Sequence, residues 1–215
     1  MILSVLYSLV LLLVFLKSWI LNHKYPVKKQ NYLFFYLLIS AVVEFTSLII
    51  YYINPDINVG MLYNIYVCTC ILFFFIFYQR ILTKILKIIS TYTFVFTVSY
   101  LVIFTKVSGF IFDYRIVIAA TLFSILNTLL WFYQKINSND TQKITEDPSF
   151  WISTGLLLWS VFSIFRIVPM FLLSNIDEEF HEFLRMVMYI VNIIMYGMFY
   201  IALLKYEKII LTPTT

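Results

Sequence analysis

Charge is scarce in this chain: 12% of its 215 residues are Asp, Glu, Lys or Arg, about half of the roughly 25% usual in a soluble domain. That shortage, with a mean hydropathy of +0.93, excludes a water-soluble globular protein. Glycine and alanine are scarce too, four of each and no GxxxG. The close backbone crossings that small residues permit in membranes are therefore not the packing mode, and Ser, Thr and interdigitated Leu, Ile and Phe must supply the contacts. Cysteine occurs twice, at Cys68 and Cys70. Two residues apart on a helix they point in different directions, which argues against a disulfide or a thiolate metal pair and for small packing residues.

The residues of catalysis are equally thin. The two histidines, His23 and His181, fall in breaks expected on opposite sides of a membrane, so they cannot share a metal. "HEFLR" at 181–185 has Arg185 where the zinc-binding HExxH needs its second histidine. There is no GxSxG, no Gly-rich phosphate loop and no pair of carboxylates within one apolar run. The expectation is no enzyme, no catalytic residue, no metal and no cofactor.

What the chain has is oil: 62% hydrophobic and 20% aromatic residues. A bilayer core about 30 Å thick needs about 20 helical residues per crossing. Runs of that length recur seven times, over Ile2 to Ile20, Tyr32 to Ile53, Met61 to Gln79, Ile85 to Phe104, Ile116 to Tyr133, Phe150 to Leu173 and Phe183 to Leu204. The expected fold is all-α, a polytopic membrane protein with seven transmembrane helices in one domain over residues 1–208, followed by a short cytoplasmic tail at 209–215. The first run lacks a basic leader and a small-residue cleavage site and is expected to be retained.

Basic residues fall unevenly across the breaks. Lys17, Lys24, Lys28, Lys29, Arg80, Lys84, Lys87, Lys135, Lys143, Lys205 and Lys208 collect on one side, and Lys106, Arg115 and Arg185 on the other. Cytoplasmic loops carry the positive excess, which puts the N-terminus outside and the C-terminus in the cytoplasm. The net charge of +4 is then a topology signal beside anionic lipid and no argument for nucleic acid. Trp19, Trp131 and Trp151 all fall at the expected cytoplasmic ends of spans, where an amphipathic ring settles at headgroup depth. "NPDINVG" at 54–60 reads as a turn, Asp147 with Pro148 as the start of the sixth helix, and Asn175 with Glu178 as a capping box for the seventh.

Two formal charges remain inside the runs, Glu44 in "ISAVVEFTSLIIYY" and Arg166 in "FSIFRIVPMFLL". Each costs about 2.5 to 3.5 kcal/mol near a helix centre, so such residues face the bundle interior and seek partners. At 1.5 Å rise per residue Glu44 lies ~2 Å and Arg166 ~7 Å outward of mid-membrane, and a helical arginine leans back toward the N-terminus, so an ion pair is expected. Helical spacing puts Ser40, Ala41, Ser47 and Tyr51 on the face of Glu44, and Gly155, Trp159, Phe162, Ser163 and Pro169 on that of Arg166. Pro169 removes the amide partner of the Phe165 carbonyl, which would kink the helix and offer the guanidinium an acceptor.

Other polar groups share the outer half. Tyr63, Asn64 and Tyr66 sit near the start of the third run, and Tyr189, Asn192 and Tyr196 form a stripe at spacings of three and four in the seventh. The candidate ligand-binding set is Glu44, Arg166, Asn64, Tyr189, Asn192 and Tyr196, around a cavity open to the outside. Ser124 and Asn127 lie deeper and read as interhelical glue. The plain alternative is that Glu44 and Arg166 only neutralise each other, and that the tyrosines only pack.

The tracts "YLLISAVVEFTSLIIYY", "YNIYVCTCILFFFIFY", "DPSFWISTGLLLWS" and "YIVNIIMYGMFYIALLK" resemble small uncharacterised seven-helix bacterial integral membrane proteins. More loosely they are similar to the seven-helix sensory regions of histidine kinases. The resemblance implies a sensor or receptor-like module that takes a small-molecule ligand, and since no kinase domain follows Lys208, the expected signalling partner is a separate protein such as a histidine kinase. A small transporter of three-plus-one-plus-three type resembles the chain in span number, with Glu44 and Arg166 at related positions of two repeats. Against it stands the lack of the Pro-Gln motif of those families. A retinal protein is excluded because no lysine precedes Lys205 in the seventh run. A scaffold subunit of a membrane complex is the third reading.

Overall fold

The computed structural model describes residues 2–54, 56–107, 111–138, 143–172 and 178–211, the last two residues of the fourth segment by backbone alone. The fold is all-α. Its helices are α1 (Ile2–Lys24), α2 (Leu33–Ile53), α3 (Gly60–Ile81), α4 (Lys84–Phe104), α5 (Tyr114–Ile136), α6 (Pro148–Leu172) and α7 (Glu178–Leu211). All seven are long and apolar enough to cross a membrane. In hydrocarbon every backbone amide and carbonyl must be paired within its own segment, which leaves the α-helix as the solution for such runs.

The helices exceed the apolar runs by up to a few residues at either end, and α7 by more. Its 34 residues make a rod of about 51 Å at 1.5 Å per residue, well beyond the ~30 Å hydrocarbon layer. His181 consequently lies on the first turns of α7 and His23 on the last turn of α1, both on helices and not in loops.

Neighbour contacts run α1–α2, α2–α3, α3–α5, α5–α6, α6–α7 and α7–α1. These close a ring of six helices, and α4 packs outside it against α3 and α5. Ser90 Oγ donates to Asn127 Oδ1 at 2.6 Å, the Phe75 and Phe94 rings stack at 4.0 Å, and Gln79 Nε2 reaches the Lys87 carbonyl. Asn127 thus acts as the interhelical glue expected of it.

One end of the bundle, here the base, carries the α1–α2, α3–α4 and α5–α6 connections and the C-terminal part of α7. Several charges there are paired: Lys17 with Glu207 at 2.6 Å, Lys135 with Asp147 at 2.8 Å, and Lys205 and Lys208 with Glu146 at 2.7 and 3.3 Å. The α1–α2 connection is wound into this layer. Gln30, buried, accepts from Ser18 Oγ at 2.7 Å, and Asn31 donates to the Tyr206 hydroxyl at 2.9 Å. Asn31 and Tyr32 both take left-handed backbone, φ 48° and 61°, a conformation that costs a non-glycine residue roughly 1 to 2 kcal/mol. The Arg80 guanidinium covers the Tyr32 ring at 4.1 Å and helps to hold it there.

Asp147 caps α6 as expected, accepting from the Ser149 amide at 2.9 Å. Asn54 closes α2 and its side chain accepts from the Asp56 amide. The Asn175 to Glu178 capping box lies outside the described residues. One expectation at the base is corrected. Trp131 is 1% exposed, inside the core, and cannot be a headgroup anchor. Trp151 ties its Nε1 to the Thr145 carbonyl at 2.9 Å, which leaves Trp19, half exposed, as the tryptophan of the three that meets the surroundings freely.

Candidate functional site

The six ring helices surround a hollow that extends toward the end opposite the base, where Asn58, Gly60, Phe112 and Arg185 line it. Between the helices lies a cavity of about 480 Å³, within the 300 to 1,000 Å³ usual for small-molecule sites. Each ring helix contributes to its wall: Tyr7 from α1, Glu44 from α2, Tyr63 and Tyr66 from α3, Ser124 from α5, Arg166 from α6 and Tyr189 from α7. No α4 residue is among them.

Both charges within the apolar helices reach this chamber, but they do not meet. Glu44 Oε2 accepts from the Tyr7 hydroxyl at 3.2 Å and Oε1 from Ser8 Oγ at 3.3 Å. These are long for O–H···O bonds, which centre near 2.7 to 2.8 Å, and a carboxylate has about four acceptor positions, so Glu44 retains capacity. Among the described residues no carboxylate stands within 4.0 Å of the Arg166 guanidinium, and Arg166 makes no hydrogen bond. The expected ion pair is therefore corrected. The physical reason is lateral: α2 and α6 are not neighbours in the ring, so similar depth does not bring the two side chains together. The acceptor foreseen at Phe165 is not used either, and α6 continues through Pro169 to Leu172.

The remaining expected residues divide. Tyr189, Asn192 and Tyr196 line the chamber as one stripe of α7, and the Tyr7 ring sits 6.0 Å from both Tyr189 and Tyr196. Asn64 does not line it. Fully buried, its amide donates to the Ile111 carbonyl and its oxygen accepts from the Asp113 amide, each at 3.0 Å. It fastens the α4–α5 connection to α3 and is structural. Tyr51, placed by spacing on the Glu44 face, is 65% exposed and points away. Phe162 on the Arg166 face is also partly outside.

Several participants escaped the sequence reading. Tyr7 and Ser8 are the partners of Glu44, and a signal for them existed: Ser4, Tyr7 and Ser8 are the polar residues of an otherwise aliphatic first half of α1. Tyr63 donates to Ser47 Oγ at 3.0 Å, and Tyr66 and Ser40 share a bond of 2.9 Å, which joins α3 to α2 along the chamber wall. Cys70 faces the chamber as well, and both cysteines are free thiols. Ser163 also lines it, 3% exposed, and its Oγ has no partner among the described residues. A buried hydroxyl without a partner is uncommon, and is seen where a water or ligand completes a site.

The chamber thus holds a carboxylate with spare acceptor positions, a guanidinium and a buried hydroxyl that have no hydrogen-bond partner among the described residues, and a tyrosine-rich wall. Such an array can bind a small polar molecule. Among the described residues no group of three or more His, Cys, Asp or Glu is assembled that could hold a metal ion. No family model, curated protein or solved structure matches this chain.

Proposed function

We propose that this integral membrane protein is a small sensor or receptor-like module, which admits a polar small molecule to the chamber and passes the event to a separate partner protein, such as a histidine kinase, at its base. The observation that carries the reading is the chamber lined by both Glu44 and Arg166 without an ion pair between them. Two charges bought into a membrane interior and left apart favour binding over mere helix packing, because a purely structural pair would be expected to neutralise itself. The long α7 links the two ends: its Tyr189–Tyr196 stripe borders the chamber, and Lys205, Glu207 and Lys208 are engaged at the base. A ligand that shifts α7 would disturb those pairs.

A second reading, a small solute transporter, is favoured by one specific observation. α4 stands outside the ring and away from the chamber, as the linker helix of a three-plus-one-plus-three arrangement would, with Glu44 and Arg166 each on the middle helix of a triplet.

The test uses the purified full chain in nanodiscs and in proteoliposomes, with a broad library of small polar solutes. A solute that raises the unfolding temperature without crossing the proteoliposome membrane supports the sensor. Flux of the same solute supports the transporter, and no stabilisation by any solute overturns both. The orientation proposed, N-terminus outside and C-terminus in the cytoplasm of a bacterial membrane, is tested by reporter fusions after Asp56, Asn139 and Thr215. Cytoplasmic activity at the first, or external activity at either of the others, would reverse it.

A further inference from the structure

The chamber has an anteroom. A second hollow of about 710 Å³ lies at the start of α7, lined by Glu178, Glu179, Glu182, His181 and Arg185, and it shares Arg166, Met170 and Arg185 with the chamber. Arg166 stands at the join. A solute arriving this way passes Glu178, Glu179 and the Glu182–Arg185 pair, closed at 2.7 Å, then the Arg166 guanidinium, then Glu44 further in.

This order of charges discriminates between ligand classes. A simple anion is opposed by the glutamates and again by Glu44. A simple cation is welcomed by the glutamates but must pass and stay beside Arg166. A neutral solute leaves both inner charges without a counter-charge in a region of low dielectric, where an uncompensated charge is costly. A molecule carrying one charge of each sign satisfies all of these constraints.

The surroundings of the two charges are sorted to match. On α6 and α7, Arg166, the Ser163 hydroxyl, the Tyr189 hydroxyl and the Asn192 amide make no side-chain hydrogen bond among the described residues, and all can donate to an anionic group. On α1 and α2, Glu44 keeps spare acceptor positions, and the Tyr7 ring bordering it belongs to a cluster with Tyr189 and Tyr196. A carboxylate with spare acceptor positions beside an aromatic ring favours an ammonium group.

We propose that the chamber binds a small zwitterion, its ammonium group at Glu44 beside Tyr7 and its carboxylate or phosphate at Arg166 with Ser163 and Asn192. This deepens the ligand-binding reading above and rests on it. The same chemistry is offered by free amino acids in water and by the phosphoethanolamine headgroup of a lipid.

The full chain is placed in nanodiscs of phosphatidylglycerol, which contains no zwitterionic headgroup. Its unfolding temperature is followed against the common amino acids, glycerophosphoethanolamine and glycerophosphocholine, each beside its decarboxylated or deaminated analogue where one exists. The expected result is that at least one zwitterion stabilises the chain, with analogues lacking either charge at least about tenfold weaker, since sites built around a polar group reject ligands without it. Glu44→Gln should narrow that gap for the anionic analogue alone, and Arg166→Gln for the cationic analogue alone. A merely structural role would not produce this crossed pattern. Glu44→Met and Arg166→Met, which also remove the charge, serve where the first variants do not fold.

Phosphatidylethanolamine doped into the discs separates the sources. If it stabilises the chain and abolishes the response to free solutes, the zwitterion is a headgroup; if the response to free solutes persists, the ligand is free. Stabilisation by neutral or singly charged solutes but by no zwitterion in either form overturns this proposal and leaves the ligand-binding reading intact. No stabilisation by any compound or lipid overturns both.

Discussion

At the base, Lys17 meets Glu207 at 2.6 Å and Lys135 meets Asp147 at 2.8 Å; in the chamber, Glu44 and Arg166 stand on helices that are not neighbours. The base also satisfies its buried hydroxyls. Tyr78 bonds Thr128 at 2.8 Å and reaches Ser153 at 3.2 Å, while Ser163 at the chamber, and Ser160 one turn before it on α6, have no partner among the described residues. The same six ring helices run through both regions, so helix formation does not explain the contrast. What differs is how far the side chains between the helices complete one another. The completed half supplies stability, and the incomplete half retains the polar capacity that a ligand needs.

This comparison can be broken most forcefully at Trp131, fully buried on the base side of α5. Trp131→Ala should cost about 3 to 5 kcal/mol, the usual range for deleting a buried large aromatic, measured by reversible unfolding in mixed micelles. Trp159→Ala, at a side chain that faces the chamber, should cost much less. Equal losses would show that the chamber wall is packed as tightly as the base.

The charges should respond with opposite sign. Arg166→Met removes a guanidinium that no carboxylate neutralises among the described residues and should raise stability by roughly 1 to 3 kcal/mol, on the scale of the insertion cost of a central arginine. Lys17→Met strands Glu207 and should lower it by about 1 kcal/mol, given the partial exposure of the pair. Because Glu44 and Arg166 do not touch, their substitutions should be close to additive in stability. Non-additivity beyond about 0.5 kcal/mol would point to a direct pair after all.

A smaller effect is expected at the glycines. A methyl group at Gly155 would come within 3.3 Å of Phe199 and 3.4 Å of Met195, where α6 approaches α7, whereas at Gly197 nothing lies within 4 Å. Gly197→Ala should therefore stabilise α7 by about 0.5 to 1 kcal/mol from helix propensity, and Gly155→Ala should gain less or lose. The reverse order, read in the same unfolding assay, would mean that the α6–α7 approach is looser than the contacts imply.

The smallest expected effect is the pH dependence of the base. Lys205 and Lys208, by hydrogen bonds, hold the Glu146 carboxyl below its usual value of 4.5. A carboxyl depressed by folding contributes stability that is complete above its unfolded value and is lost as pH falls through the folded one. Acidification below about pH 4.5 should weaken this contact, and the exposure of Glu146 keeps the effect slight. Glu146→Gln should flatten the corresponding part of the acid limb, and an unchanged limb would show that the contact adds nothing.

Much of this molecule was legible from residue order. α2 ends at Ile53 and α4 at Phe104, where their apolar runs end, because hydrocarbon leaves an apolar run of that length no other backbone solution. Glu44 and Arg166 were identifiable from their cost alone, since a charge in oil has to face the interior. The rotation of the other polar residues was not legible. In a soluble helix the polar face marks water and the apolar face the core, but a helix in lipid is apolar toward both. Spacing alone therefore puts Tyr51 and Asn64 toward the chamber, although one points outward and the other fastens a loop. Trp131 was placed at the surface although it is core. That α4 stays outside the ring, that Tyr7 comes to Glu44, and that Glu44 and Arg166 remain apart were decided only by which helices became neighbours, and neighbour choice depends on side-chain shapes matched across helices far apart in sequence.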